Sequence, residues 1–118
     1  MTYIFHIASA EDWRAAQLAG TYRQSTRARS LEEVGFIHCS YAAQVTTVAN
    51  TIYRGIQGLV LIKIDPERLD AALRIDPAPP SGELFPHIYG PLKVDAVIEV
   101  APFEPSADGT FHLPPGVA

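Results

Sequence analysis

The sequence predicts an α+β fold: small mixed or antiparallel β-sheets with two or three short helices. Two observations carry that reading. Strand-like and helix-like stretches mix along the chain without the regular strand–helix–strand alternation of a doubly wound sheet. In addition, 118 residues that are 47% hydrophobic and only 19% charged are enough for one buried core and too apolar for disorder. One domain over residues 1–118 is expected, with the last six residues a loose tail.

"TYIFHIA" opens the chain as a strand, dense in β-branched and aromatic residues. Ser9 is placed to cap a helix, with Asp12 three residues on and Gly20 as its stop. "TYRQSTRA" reads as loop. Ser30 and Glu33 form a capping box around "SLEEV", which Gly35 ends. After "FIHCS", read as a strand, the spacing of Tyr41, Val45, Val48, Ala49 and Ile52 describes one helical face, with Ser40 or Tyr41 at its start.

"GLVLIKI" is a continuous apolar run, the pattern of a strand buried on both faces. A turn and a short strand around Leu73 to Ile75 follow. "PAPPSGE", with three prolines and a glycine in seven residues, reads as loop. "KVDAVIEV" reads as a last long strand, and Asp108-Gly109 as a hairpin turn leading into the tail.

Composition removes several function classes. The net charge of −4 offers no basic footprint for nucleic acid. Arg23, Arg27 and Arg29 do cluster, and fit a solvated loop first and an anion or phosphate contact second. One cysteine allows no internal disulfide. The N-terminal residues lack the pattern of a signal peptide, and no run approaches the roughly 20 apolar residues of a membrane helix. A cytoplasmic protein without a membrane partner is the expectation. No phosphate-binding glycine loop, dinucleotide fingerprint or nucleophile elbow is present. The four histidines, spaced by 32, 49 and 25 residues, give no metal-ligand motif, so no metal is expected.

Two stretches are unusual. In "GFIHCS", strand alternation puts His38 on the face of Phe36, and Ile37 with Cys39 on the other. A histidine at a strand end beside a helix N-terminus suits an anionic or hydroxyl-rich ligand, with Ser40 contributing. The same residues also fit a core histidine with one hydrogen bond and Ser40 as a plain N-cap. Cys39, facing away from His38, reads as a small buried hydrophobe rather than a nucleophile. In "ELFPHIYGPL", Pro86 and Pro91 bracket His87 and Tyr89 and argue against an ordinary central strand. At i and i+2, His87 and Tyr89 project to one side, a flat face with two hydrogen-bonding groups for an aromatic ring or a sugar.

With those stretches in hand, the chain resembles a small bacterial family known as domain of unknown function 952. The resemblance runs over nearly the whole length, through "YIFHI", "AGTY", "GFIHCS", the glutamine at Gln44, "LVLIKID", "GELFPHIYGPL" and "DGTFHLP". It implies a fold like that of the ADP-ribosyltransferases, which bind NAD in a cleft between two small curved sheets. "His38-Cys39-Ser40" is similar to the motif whose histidine holds a ribose hydroxyl. Tyr89 or Tyr41 would stack on the nicotinamide, and Tyr22 and Gln44 would join the ligand contacts. The acidic residue of that fold is usually a glutamate, which stabilises an oxocarbenium-like transition state. This chain instead has Asp76 about ten residues before "FPHIYG", with Glu83 nearer. A misplacement of roughly 1 Å can cost about 100-fold in rate. The resemblance therefore leaves open an enzyme using His38, His87 and Asp76 with NAD as substrate, or a non-catalytic module for a nucleotide-like ligand. A protein-interaction role, with both motifs as packing devices, is the third reading.

Overall fold

The computed structural model describes residues 2–117. The fold is α+β, with three short α-helices and several small antiparallel sheets. One three-stranded sheet has β6 (Leu59–Ile64) between β1 (Ile4–Ser9) and β10 (Val97–Phe103). The other has β8 (Glu83–Tyr89) between β5 (Ile37–His38) and β7 (Ala72–Ala78). Two small ladders complete the chain: β2 (Thr21–Tyr22) with β9 (Leu92–Lys93), and β3 (Gln24–Thr26) with β4 (Arg29–Ser30).

β1 and β6 are apolar without alternation because core lies on both sides of them. Ile4, Ala8, Ile62 and Ile64 pack in one cluster with Trp13, Ile37 and Ile88, whereas Phe5, Ile7, Leu59 and Leu61 pack in another with Val45, Phe85 and Phe103. The two large sheets meet at β1. Phe5 and Ser40 exchange both backbone hydrogen bonds, each at 2.8 Å, where β5 has just ended.

The helices start and stop as local chemistry requires. α1 (Ala10–Ala19) is capped by Ser9, whose Oγ accepts from Asp12 N at 3.0 Å, and ends at Gly20 in the left-handed region. α2 (Leu31–Val34) carries the complete Ser30/Glu33 capping box. α3 (Ala42–Ile52) buries Val45, Val48 and Ala49, but Ile52 stays exposed at the helix end. Its N-cap is Tyr41, not Ser40, because Ser40's backbone is committed to Phe5.

Several expectations are corrected. "TYRQSTRA" is not loop but supplies β2 and β3, since Tyr22 and Ser25 are drawn into the core. β7 continues through Pro77 to Ala78, so the loop in "PAPPSGE" shrinks to residues 79–82. The long last strand divides into β9, a 3₁₀ turn at Val94–Ala96 and β10. Asp108-Gly109 does form a turn, yet no strand pair flanks it. Near the expected tail, Leu113 packs on the core and Val117 is buried, its carbonyl accepting from Lys63 Nζ at 2.8 Å.

The largest correction concerns Pro86, which sits in the centre of the second sheet. Pro86 O accepts from Cys39 N at 3.0 Å, so its backbone groups point toward β5 and not toward β7. β5 departs toward Phe5 at that rung, so the missing N–H falls where the β5–β8 ladder ends.

At the end of β8, Gly90 lies against Ala71, and a Cβ built on it would stand 2.7 Å from Ala71 Cβ. Gly90→Ala should therefore destabilise the fold by about 1–3 kcal/mol in chemical denaturation. Adding Ala71→Gly should recover part of the loss. Equal stability of the single variant and the wild type would show the contact to be looser than this geometry.

Candidate functional site

The register of β5, β8 and β7 gathers one face of polar and aromatic side chains. His38 pairs with His87, Arg74 with His87 and Asp76 with Phe85, so all five stand on one side with Phe36 and Tyr89. Ile37 and Ile88 face the opposite side, into the core.

On this face a hydrogen-bond chain runs through four residues. Asp76 Oδ2 accepts from His87 Nδ1 at 2.9 Å and from the Tyr89 hydroxyl. His87 Nε2 then meets His38 Nδ1 at 3.3 Å. A carboxylate can only accept, so His87 carries its proton on Nδ1. With His87 Nε2 as the acceptor, His38 donates from Nδ1, and its own Nε2 is left as an acceptor. Phe36 stacks on the His87 ring at 4.0 Å between centroids and Phe85 lies 5.1 Å from His38, which holds both imidazoles in place. Arg74 lies over the Tyr89 ring at 5.3 Å.

The electrostatics follow from burial. His38 is pushed down to about 4 by desolvation first and then by the neighbouring His87. Its ring is therefore neutral near pH 7 and able to accept a proton or a hydroxyl hydrogen. The hydrogen bonds from Tyr89 and then His87 hold Asp76 below the usual carboxylate range, and the bond to Asp76 raises Tyr89.

Behind this face is a third imidazole, which neither sequence motif contains. His6, buried on β1, meets His38 O through Nδ1 at 2.6 Å and the Tyr22 hydroxyl through Nε2 at 2.8 Å. A carbonyl only accepts, so His6 is the Nδ1–H tautomer and Tyr22 is the donor to Nε2. Burial, chiefly, lowers His6 to about 4 and raises Tyr22. The available signal was an imidazole inside an apolar strand, which must find partners once buried.

A small cavity of about 10 Å³, room for one water, lies between the sheets, lined by His6, Ser25, Thr26, His38, Ser40 and Tyr53 among others. Ser25 Oγ is fully buried there and has no hydrogen-bond partner among the described residues. On the outer side Tyr89 borders a wider, open groove of about 410 Å³ with Thr21, Asp70, Ala71, Gly90, Pro91 and Lys93.

The remaining predicted site residues are distributed unevenly. Ser40 lines the small cavity but acts on Phe5 through its backbone. Gln44 is occupied: Oε1 accepts from Tyr41 N, and Nε2 donates to Glu83 Oε2 and Leu84 O, tying α3 to the start of β8. Glu83 is thus the first residue of a strand, not part of a flexible loop. Tyr41 packs against the core cluster containing Ile37 and Cys39. Tyr22 supports His6 from within the core. Cys39 is fully buried, and desolvation raises its thiol. Of the arginine cluster, Arg23 pairs with Glu32 and Arg27 donates to Ile52 O. Among the described residues, no group of three His, Cys, Asp or Glu side chains converges as metal ligands would, and no helix is long and apolar enough to cross a membrane.

Fold and site together define an α+β protein whose second sheet carries a carboxylate–imidazole–imidazole chain. The chain belongs to the family described as "Protein of unknown function (DUF952)", whose model matches residues 7–100. It is similar to protein CC0527 from Caulobacter crescentus. The crystal structure of CC0527 is 33% identical, with a TM-score of 0.83 and 95% of each chain covered. The crystal structure of a CC0527 double mutant agrees equally well, with the same TM-score. The solution NMR structure is 34% identical, with a TM-score of 0.76 over 93% of this chain and 91% of that one. No curated protein matches the chain.

His6 and His38 are neutral in the folded protein near pH 7 and ordinary, near 6.5, in the unfolded chain. Below that value the unfolded state takes up protons that the folded state refuses. Stability is thus fully present above about 6.5 and should fall as pH drops toward 4. The slope should approach two protons, about 2.7 kcal/mol per pH unit, from this pair. Urea unfolding at a series of pH values reads it, and a flat profile from pH 7 to 5 would contradict the burial of two neutral imidazoles. Long-range ¹H–¹⁵N correlation should also show His6 as the Nδ1–H tautomer and a proton on His87 Nδ1. An Nε2–H tautomer at His87 would reverse the hydrogen-bond chain.

Proposed function

We propose that the face carrying His38, His87, Asp76 and Tyr89 binds a nucleotide-like small molecule, with NAD or ADP-ribose the leading candidate. The observation that carries this reading is the ordered chain from Asp76 through His87 to His38. It presents a neutral imidazole acceptor suited to a ligand hydroxyl, such as that of a ribose, beside the aromatic surfaces of Phe36 and Tyr89. The resemblance of "His38-Cys39-Ser40" to the ribose-holding motif of ADP-ribosyltransferase-like folds supports the same choice. The cavity behind His38 takes no more than a water, so the bulk of such a ligand lies outward, along the groove bordered by Tyr89.

Geometry favours binding over transfer. Asp76 is already accepting from both His87 and Tyr89, so it is not a free carboxylate aimed at a sugar. Its role here is to orient His87. If chemistry occurs, His38 as general base is the group in position for it.

Amide NMR titration with NAD, ADP-ribose and nicotinamide tests the reading. Shifts should cluster at residues 36–41 and 85–90 in the wild type, and affinity should weaken by about 5- to 150-fold in His38→Ala, the loss of one hydrogen bond to a buried partner being about 1–3 kcal/mol. Asp76→Asn should weaken binding less, by loosening His87. Nicotinamide release from NAD, lost in His38→Ala, would move the conclusion from binding to catalysis. No shift at millimolar ligand would remove the nucleotide reading.

A further inference from the structure

β7 is an open edge. Among the described residues it pairs only with β8, and most of its side chains are exposed. Pro86 O is turned toward β5, so Ile75, opposite Pro86, has no hydrogen bond to β8 on that rung. Alternation along an antiparallel ladder then directs the backbone groups of Leu73, Ile75 and Pro77 outward. Leu73, Ile75 and Leu84 add an exposed apolar stripe, at 37%, 44% and 53% accessibility, on the face opposite the histidines. A seven-residue strand with free donors and exposed apolar side chains is a template for another strand.

The sequence "Leu73-Arg74-Ile75-Asp76-Pro77" selects which strand. In an antiparallel two-fold pairing centred on Ile75, Arg74 of one copy faces Asp76 of the other, twice. Ile75 faces Ile75, and Leu73 faces Pro77. Neighbouring two-fold registers fail: centring on Arg74 opposes two arginines, and centring on Asp76 opposes two aspartates, each destabilising. The favoured register also matches the backbone. Ile75 exchanges two hydrogen bonds with its mate, and each Leu73 N–H reaches a Pro77 carbonyl. The N–H that Pro77 lacks falls at the ladder's end, where a carbonyl can turn to water.

We propose that the β7 edge is a homodimer interface, a second copy of this chain extending the β5–β8–β7 sheet through the Ile75-centred register. Charge complementarity is with itself, which an isologous two-fold contact requires. The pairing also brings Arg74 of one copy beside Asp76 of the other, at the candidate site. With four main-chain hydrogen bonds and a narrow apolar stripe, the contact falls in the small class of interfaces, below about 1,200 Å², so association in the micromolar range or weaker is expected.

Sedimentation equilibrium from micromolar to millimolar protein should show the mass rising from 12.8 kDa toward twice that value. Amide exchange at Leu73 and Ile75 should slow over the same range. Ile75→Lys, at an exposed position that leaves the fold intact by circular dichroism, should weaken association about tenfold or more. Arg74→Asp alone and Asp76→Arg alone should each be monomeric, while their mixture should pair, since opposite charges then face across the strands again. Monomer at millimolar concentration, a dimer indifferent to Ile75→Lys and Arg74→Asp, or a mixture that stays apart would each overturn the proposal.

Discussion

Three consecutive backbone groups hold this protein together. At the end of β5, His38 O accepts from the His6 ring, Cys39 N donates to Pro86 O, and Ser40 exchanges two hydrogen bonds with Phe5. Each goes to a different strand or a different side of one, so the two large sheets are joined at a single short stretch. Buried backbone groups must be paired, and here no regular ladder could pair them all. That is why polar residues interrupt the apolar run at "IHCS". The stretch distributes hydrogen bonds among strands before the chain turns into α3.

The polar side chains of the site depend on that joint. His38 is positioned by its carbonyl's bond to His6, and by the pairing of β5 with β8 that sets His87 opposite it. Desolvation first, and then the neighbouring imidazole, disfavours a charge on His38, and burial does the same for His6, so these two rings are neutral near pH 7. Neutral rings with fixed acceptors have a defined tautomer order. A surface histidine would have neither the order nor the orientation. Asp76 and Tyr89 lie farther out, where water screens them, and serve to steer the inner pair.

Local chemistry was legible where one residue decides a conformation. Ser9, Ser30 with Glu33, Gly20 and Gly35 set helix ends through caps and left-handed glycine, needing no tertiary partner. The buried strand at "GLVLIKI" was legible from its unbroken apolar run. Pro86 misled for a reason of register: proline forbids a donor on one side of a strand, and whether a partner waits there depends on where β5 ends. Between the two starts that the sequence allowed for α3, Tyr41 prevailed because Ser40 makes two backbone bonds with Phe5. β2 and β3 were missed because two- or three-residue strands carry no period to read.

By itself the sequence determined the α+β character, the helix ends, the double-sided burial of β6, and the presence of His38, His87 and Tyr89 as unusual polar groups, whereas Asp76 entered only through the family resemblance. These follow from side-chain period, capping chemistry and the cost of burying an imidazole, all properties of neighbouring residues. Only the tertiary structure decided that Asp76 lies diagonally across from His87, that His6 lies behind His38, and that Gln44 is occupied with Glu83. Those contacts join residues 11 to 39 positions apart. They depend on strand register, which is set by the packing of both sheets and by no short stretch of the chain.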